Sequence, residues 1–375
     1  MNFGFSEEQD LLRQEVRKFL DQQCPLPEVR RIIETAEGYS PEQWTQLGEL
    51  GFLGLIVPEK YGGAGLGWVD LVVLLEETGR SLYPSPLLST TLAGATLLDV
   101  GSEEQKQRWL PGLADGGTIG SVAVLEAQDL LAPEGIELRG APEADGFSLT
   151  GEKRFVVDVA QAGLFIVAFR TGDGDRDLAL AIVPRSADGV SVEALATLDA
   201  TKRVGTLRLD GVRVAREALL GTTGEAWPAI ERHLDRGAAA VAAEMIGSLE
   251  GMLDLTVQFA KDRVQFGSPI GRYQGVKHPL ADIYVDIECL KSLLYYAAWA
   301  LDSSPTDIPS AVSEAKAFGS VAITSAGING IQLHGAVGYT QEYDIQLYLK
   351  RSKWARPLFG DEDHHADRIA SLGGY

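Results

Sequence analysis

Apolar residues recur at steps of three, four or seven from Ile230 through Leu234, Val241, Met245, Leu249 and Met252 to Phe259. That period predicts one long amphipathic helix, beginning near Glu225. A helix that long needs other helices along its apolar stripe. Further helical patterns over Val276–Leu301, Ser310–Ile331 and Tyr343 to about Arg351 supply them. Residues 223–375 are therefore expected to form a C-terminal four-helix bundle.

The region before it has a different period. Between about 119 and 222, runs such as Gly163 to Phe169 and Leu178 to Val183 are short, apolar and bounded by Gly, Asp or Pro. Leu207 and Leu209 alternate with Arg208 and Asp210, and Gly211 is expected to turn the chain into Val212 and Val214. These are signs of several antiparallel strands in a small middle β-domain. Residues 1–118 return to helical patterns. Ser6 and Gln9 make a capping box ahead of Leu12, Val16, Phe19 and Leu20. Further helices fit Pro41–Leu50, a segment from Trp68 to Gly79, and Ser102–Leu110, the last stopped by Pro111 and Gly112. The fold class is α+β and multi-domain: helices, then strands, then a helical bundle.

Composition narrows the function. The formal charge is −20, from 33 basic and 53 acidic residues, which disfavours nucleic acid as a partner. No apolar run is long enough for membrane insertion, and the N-terminus lacks a secretory pattern. The two cysteines, Cys24 and Cys289, are far apart in sequence, so a cytoplasmic location is expected rather than a disulfide framework. Gly62–Gly67 departs from dinucleotide-loop spacing and is expected to be a turn between helices. Asp361-Glu-Asp-His-His365 lacks the i, i+4 histidine pair of a zinc helix and is expected to be a polar helix start, with no metal.

Two stretches are more informative. In Arg263-Val-Gln-Phe-Gly-Ser-Pro-Ile-Gly-Arg-Tyr-Gln274, an arginine at a helix end suits a bidentate pyrophosphate contact. Phe266 offers an aromatic face, and Gly267 lets the backbone turn near a ligand. Equally, Arg263 could complement its helix dipole while Phe266 packs. In Gln332-Leu-His-Gly-Ala-Val-Gly-Tyr-Thr-Gln-Glu-Tyr343, a glycine-rich turn between helices could place backbone amides at a phosphate or a ribose, or could be an ordinary connection.

Together these stretches resemble the pattern RxxFGxPIxxxQ … QxxGGxGY of the acyl-CoA dehydrogenase family. The opening Phe5-Ser-Glu-Glu-Gln9, the run Gly54–Gly67, Gly151-Glu-Lys153 and the α–β–α order extend the resemblance over the whole chain. It implies an FAD-dependent oxidation of the α,β-carbons of an acyl-CoA thioester, with a carboxylate base and the flavin as electron sink. It also implies that FAD lies at a subunit interface of a dimer-of-dimers tetramer. Arg263, Gln265, Phe266, Gln274, Gln332, Gly335 and Ala336 would then touch the adenosine diphosphate end of a neighbour's FAD.

The chain departs from the pattern where the chemistry would be. The usual glutamate position, read from Gln332, holds Phe359. The alternative position, 26 residues before Arg263, holds Gly237. Neither side chain can take a proton. Among sequence neighbours, Asp361 is the more plausible substitute base and Asp235 the less. Residues expected to bond the flavin edge are replaced by Leu125, Phe155 and Val157, Ala127 stands for a proline, and the arginine after Gly237 is Ala238. Contacts lent to a neighbour are kept, and those serving the chain's own flavin are degraded. The chain thus resembles the base-lacking subunit of paired, steroid-type acyl-CoA dehydrogenases, with a homologous subunit as partner. The alternatives are a homo-oligomer with a relocated base, an oxidase or monooxygenase on the same scaffold, or a non-catalytic structural partner.

Overall fold

The computed structural model describes residues 5–174 and 176–374. Six helices come first: α1 (Glu7–Gln23), α2 (Leu26–Ile33), α3 (Pro41–Glu49), α4 (Trp68–Arg80), α5 (Leu87–Val100) and α6 (Glu103–Ala114). The capping box forms as expected. Ser6 Oγ accepts from the Gln9 N–H at 3.3 Å, and the Gln9 side chain accepts from the Ser6 N–H at 3.0 Å.

Neither α2 nor α5 has a counterpart among the sequence expectations. Helix α5 is buried on every face along most of its length, so it lacks the one-sided stripe that betrays a helix. The expected stop of α6 at Pro111 is corrected: the helix runs on to Ala114 with Pro111 inside it. A proline so near the end removes only one hydrogen bond from the last turn.

Eight strands follow: β1 (Gly120–Ala123), β2 (Gly140–Glu143), β3 (Gly146–Val157), β4 (Leu164–Arg170), β5 (Leu178–Pro184), β6 (Val190–Leu195), β7 (Val204–Ala215) and β8 (Leu219–Leu220). They make two sheets, ordered β1-β4-β5-β8 and β2-β3-β7-β6. Pairing is antiparallel except between β1 and β4, which run parallel. Gly211 does not reverse the chain as expected. It sits inside β7 at φ 65° as part of a bulge, its N–H donating to Thr150 Oγ1 at 3.0 Å.

Helices resume with α7 (Trp227–Asp262), followed by the short pair β9 (Val264–Gln265) and β10 (Ser268–Pro269). Then come α8 (Gln274–Ser303), α9 (Ile308–His334), α10 (Ile345–Ala355) and α11 (Glu362–Leu372). Changes of element type fall between Ala114 and Gly120 and between Leu220 and Trp227. Packing draws other borders. One compact unit contains residues 1–31, 68–83 and 235–375; the other contains 32–67 and 84–234.

In the second unit, Ala93, Leu97, Leu110 and Leu113 pack with Leu164, Ile166, Leu178 and Leu180 from the first sheet. In the first unit, α4 and α7 touch backbone to backbone. A Cβ added at Gly247 would collide with the Glu76 carbonyl, and one at Gly79 with the Glu244 carbonyl. Among the described residues no helix is long and apolar enough to cross a membrane.

Candidate functional site

Leu125, Phe155 and Val157 come together in the second unit. A bulge in β3 opposes Arg154 and Phe155 to the single residue Thr206 and puts Phe155 at φ 55°. The Arg154 N–H donates to the Leu125 carbonyl at 2.8 Å, tying the segment after β1 to that bulge. Beside it, the fully buried Lys153 donates to the Val124 carbonyl at 3.0 Å and to Glu126 at 2.5 Å. Burial pulls the Lys153 amine down to about 8, against the pull of Glu126. Glu126 in turn accepts from the N–H groups of Glu137 and Leu138. The Val157 carbonyl accepts from buried Ser121 at 2.6 Å. Leu125, Phe155 and Val157 themselves bring no side-chain donor or acceptor to this corner.

The helix ends that lead into the two informative stretches, those of α7 and α9, meet in the first unit. Phe259, one turn before Arg263, lies 4.3 Å from the His334 ring, and both rings face Tyr343. Beyond Arg263 the chain turns through Phe266 and Gly267, both left-handed, between β9 and β10. This two-residue turn suits a hairpin, and it costs strain at the phenylalanine. Phe266 does not pack: its side chain is 92% exposed, edge-on to Tyr273 at 6.3 Å. Arg263, Gln265, Gln274, Gln332, Gly335 and Ala336 are exposed too. The Arg263 guanidinium has no ion-pair partner among the described residues. Gly335, at φ 64°, has open space where a Cβ would be. A free guanidinium, three carboxamides, an aromatic face and bare backbone suit an anionic group that carries a ring.

The two positions where a base was sought also meet. A Cβ at Gly237 would lie 2.6 Å from Cε1, Cε2 and Cζ of Phe359, so the ring rests on the glycine. Asp235 is buried and ion-paired with Arg368. Asp361 caps α11, accepting from the His364 N–H at 3.0 Å. That bond holds its carboxyl below the usual range.

Lys316 and His365 belong to this neighbourhood, and sequence reasoning assigned neither a role. Lys316 is completely buried on α9 and donates to Ser320 Oγ, the Arg356 carbonyl and the Gly360 carbonyl at 3.2, 2.8 and 2.6 Å. Burial lowers its amine to about 7. The polar start expected at 361–365 holds for Asp361, but His365 turns inward. Its Nε2 is 3.0 Å from the Phe359 carbonyl and its Nδ1 is 3.2 Å from Ser313 Oγ. A carbonyl only accepts, so Nε2 carries the proton and Nδ1 accepts from the serine. Burial holds this imidazole neutral, down to about 3. The signal for Lys316 was its place on the stripe of Val312, Gly319 and Ile323, where a lysine head must find partners inside.

Comparison with known proteins names the class. Residues 6–117 match the acyl-CoA dehydrogenase N-terminal domain, and residues 224–372 match the C-terminal domain. The chain belongs to the acyl-CoA dehydrogenase family, flavin-linked oxidoreductases that use FAD and act on CH–CH bonds. It is 33% identical to the acyl-CoA dehydrogenase IpdE2 of Mycolicibacterium smegmatis over 97% of this chain and 98% of that relative. A solved variant of the Tcur3481–Tcur3483 steroid ACAD superposes at a TM-score of 0.89, with 31% identity and 98% of each chain covered. The ChsE4–ChsE5 complex from Mycobacterium tuberculosis gives 0.91, with 28% identity, covering 100% of this chain and 99% of that one.

Proposed function

We propose that this chain is one subunit of a heteromeric FAD-dependent acyl-CoA dehydrogenase, lending contacts to its neighbour's cofactor and carrying no base of its own. The observation that carries this reading is the Phe359 ring seated on Gly237, which puts two non-titrating residues at both base positions. The nearby carboxylates Asp235 and Asp361 are committed, one to Arg368 and the other to the first turn of α11.

The residues past α7 and at the end of α9 fit the adenosine diphosphate end of FAD by the chemistry of their donors. Arg263 would grip the pyrophosphate, Phe266 would offer its face to the adenine, and Gln265, Gln274 and Gln332, with the backbone at Gly335 and Ala336, would bond the sugar and phosphates. FAD supplies the hydride acceptor when bound. At the other corner, Leu125, Phe155 and Val157 leave a flavin edge short of partners, at roughly 1–3 kcal/mol for each buried polar group left unsatisfied. An exposed apolar stripe of Val321 and Ile328 on α9 leads towards Gln332, as expected where a homologous subunit docks. The names of the steroid ACAD and of the ChsE4–ChsE5 complex support a bulky, steroid-type acyl-CoA as substrate and a paired assembly.

The test is reconstitution. The isolated chain is expected to show negligible acyl-CoA dehydrogenation. Activity should appear on co-expression with a base-bearing homologue and should survive Asp361→Asn in this chain. Steady turnover by the isolated, flavin-loaded chain, abolished by Asp361→Asn, would instead establish a relocated base.

A further inference from the structure

The segment between α10 and α11 is held more tightly than a connection needs. Phe359 and Gly360 are both left-handed, at φ 59° and 95°. For phenylalanine that conformation is strained and persists only where its surroundings dictate it. The surroundings are specific. His365 takes the Phe359 carbonyl, and Lys316 takes the Gly360 carbonyl together with the Arg356 carbonyl near the end of α10. Asp361 then starts α11. A Cβ at Gly360 would approach the His364 and His365 rings, at 2.5 Å and 3.0 Å, so the backbone here is also pressed from the side.

The Arg356, Phe359 and Gly360 carbonyls are therefore fixed to buried side chains of α9 and α11. The result is that the Phe359 ring lies across Gly237, where α7 offers no side chain. Any larger residue at 237 would meet the ring, so the ring and the glycine require one another.

We infer that Phe359 is a plug filling the space of both base positions, and that Lys316 and His365 are positioning residues that hold it shut. The functional meaning rests on the proposed role above, but the contact itself does not. This chain lacks more than a carboxylate. While the plug is seated, a carboxylate at position 237 has no room, and opening the locus requires a change at 359.

A thermal-stability cycle on the purified chain tests the plug. Gly237→Ala is expected to lower the melting temperature by several degrees in the wild type. In the Phe359→Ala background the same change should raise it, because alanine is the better helix former once the ring is gone. Gly237→Glu should likewise be tolerated only with Phe359→Ala. Lys316→Met should shrink the Gly237→Ala penalty by freeing the segment, an effect that general destabilisation would not produce. Should Lys316→Met fail to fold, His365→Asn gives the same reading from the other anchor. A Gly237→Ala effect that is the same with and without Phe359 would overturn the plug. A penalty unchanged in the anchor variants would overturn the positioning roles alone. Both outcomes are independent of whether reconstitution with a second subunit succeeds.

Discussion

His365 shows how much one side chain's surroundings can alter its chemistry. Next to His364 in sequence, it points into the bundle, where Lys316, His364 and Arg368 add positive charge to the cost of burial. Its folded pKa of about 3 lies below the ordinary value of 6.5. Between those values the unfolded chain binds the proton and the folded one does not, so this residue's contribution is present above about 6.5 and is lost as pH falls towards about 3. His365→Asn cannot titrate. Its stability deficit relative to wild type is therefore expected to be largest near neutrality and to narrow through that window. Chemical denaturation at a series of pH values measures it; a deficit that widened on acidification would contradict the burial of a neutral imidazole.

At the scale of elements, the hairpin after α7 is the most exposed part of the candidate site. Phe266 touches little of its own chain, so Phe266→Ala should leave the melting temperature of the isolated chain almost unchanged, within about 0.5 kcal/mol in stability. In the assembled complex, Phe266→Ala and Arg263→Ala should both reduce flavin retention, the arginine by at least about tenfold. Full FAD content in both variants would mean that the hairpin serves only its own helix end. The α4–α7 contact has the opposite character. Gly247→Ala would force a methyl into the Glu76 carbonyl and should cost at least about 1–3 kcal/mol, read by denaturant unfolding.

At the scale of the molecule, the apolar Leu125, Phe155 and Val157 and the residues proposed for the adenosine end lead to one expectation. Purified alone, the chain should hold clearly less than one FAD per subunit, and co-expression with a base-bearing homologue should restore flavin absorbance. One tightly bound FAD per chain from single-gene expression would remove the reason for a partner. The charge of −20 bears on the same question, since a partner of lower negative charge would meet less repulsion than a second copy.

The order of helices, strands and helices was legible in the sequence because one-sided burial writes its own period into a chain. The α7 stripe and the β4 and β5 runs show this directly. The two stretches proposed for the adenosine end stood out because turn glycines and an arginine at a helix end are local features. What escaped was whatever depended on the third dimension. Helix α5 is buried on all sides, so its period vanished. The parallel pairing of β1 with β4 joins strands about forty residues apart. Phe266 read equally well as packed or exposed until its surroundings were known. Above all, sequence alignment could say that positions 237 and 359 lack a carboxylate. Only the tertiary structure could bring those positions, 122 residues apart in sequence, within one ring's width of each other. Contact between distant residues is decided by how helices pack, and no local pattern in the chain encodes it.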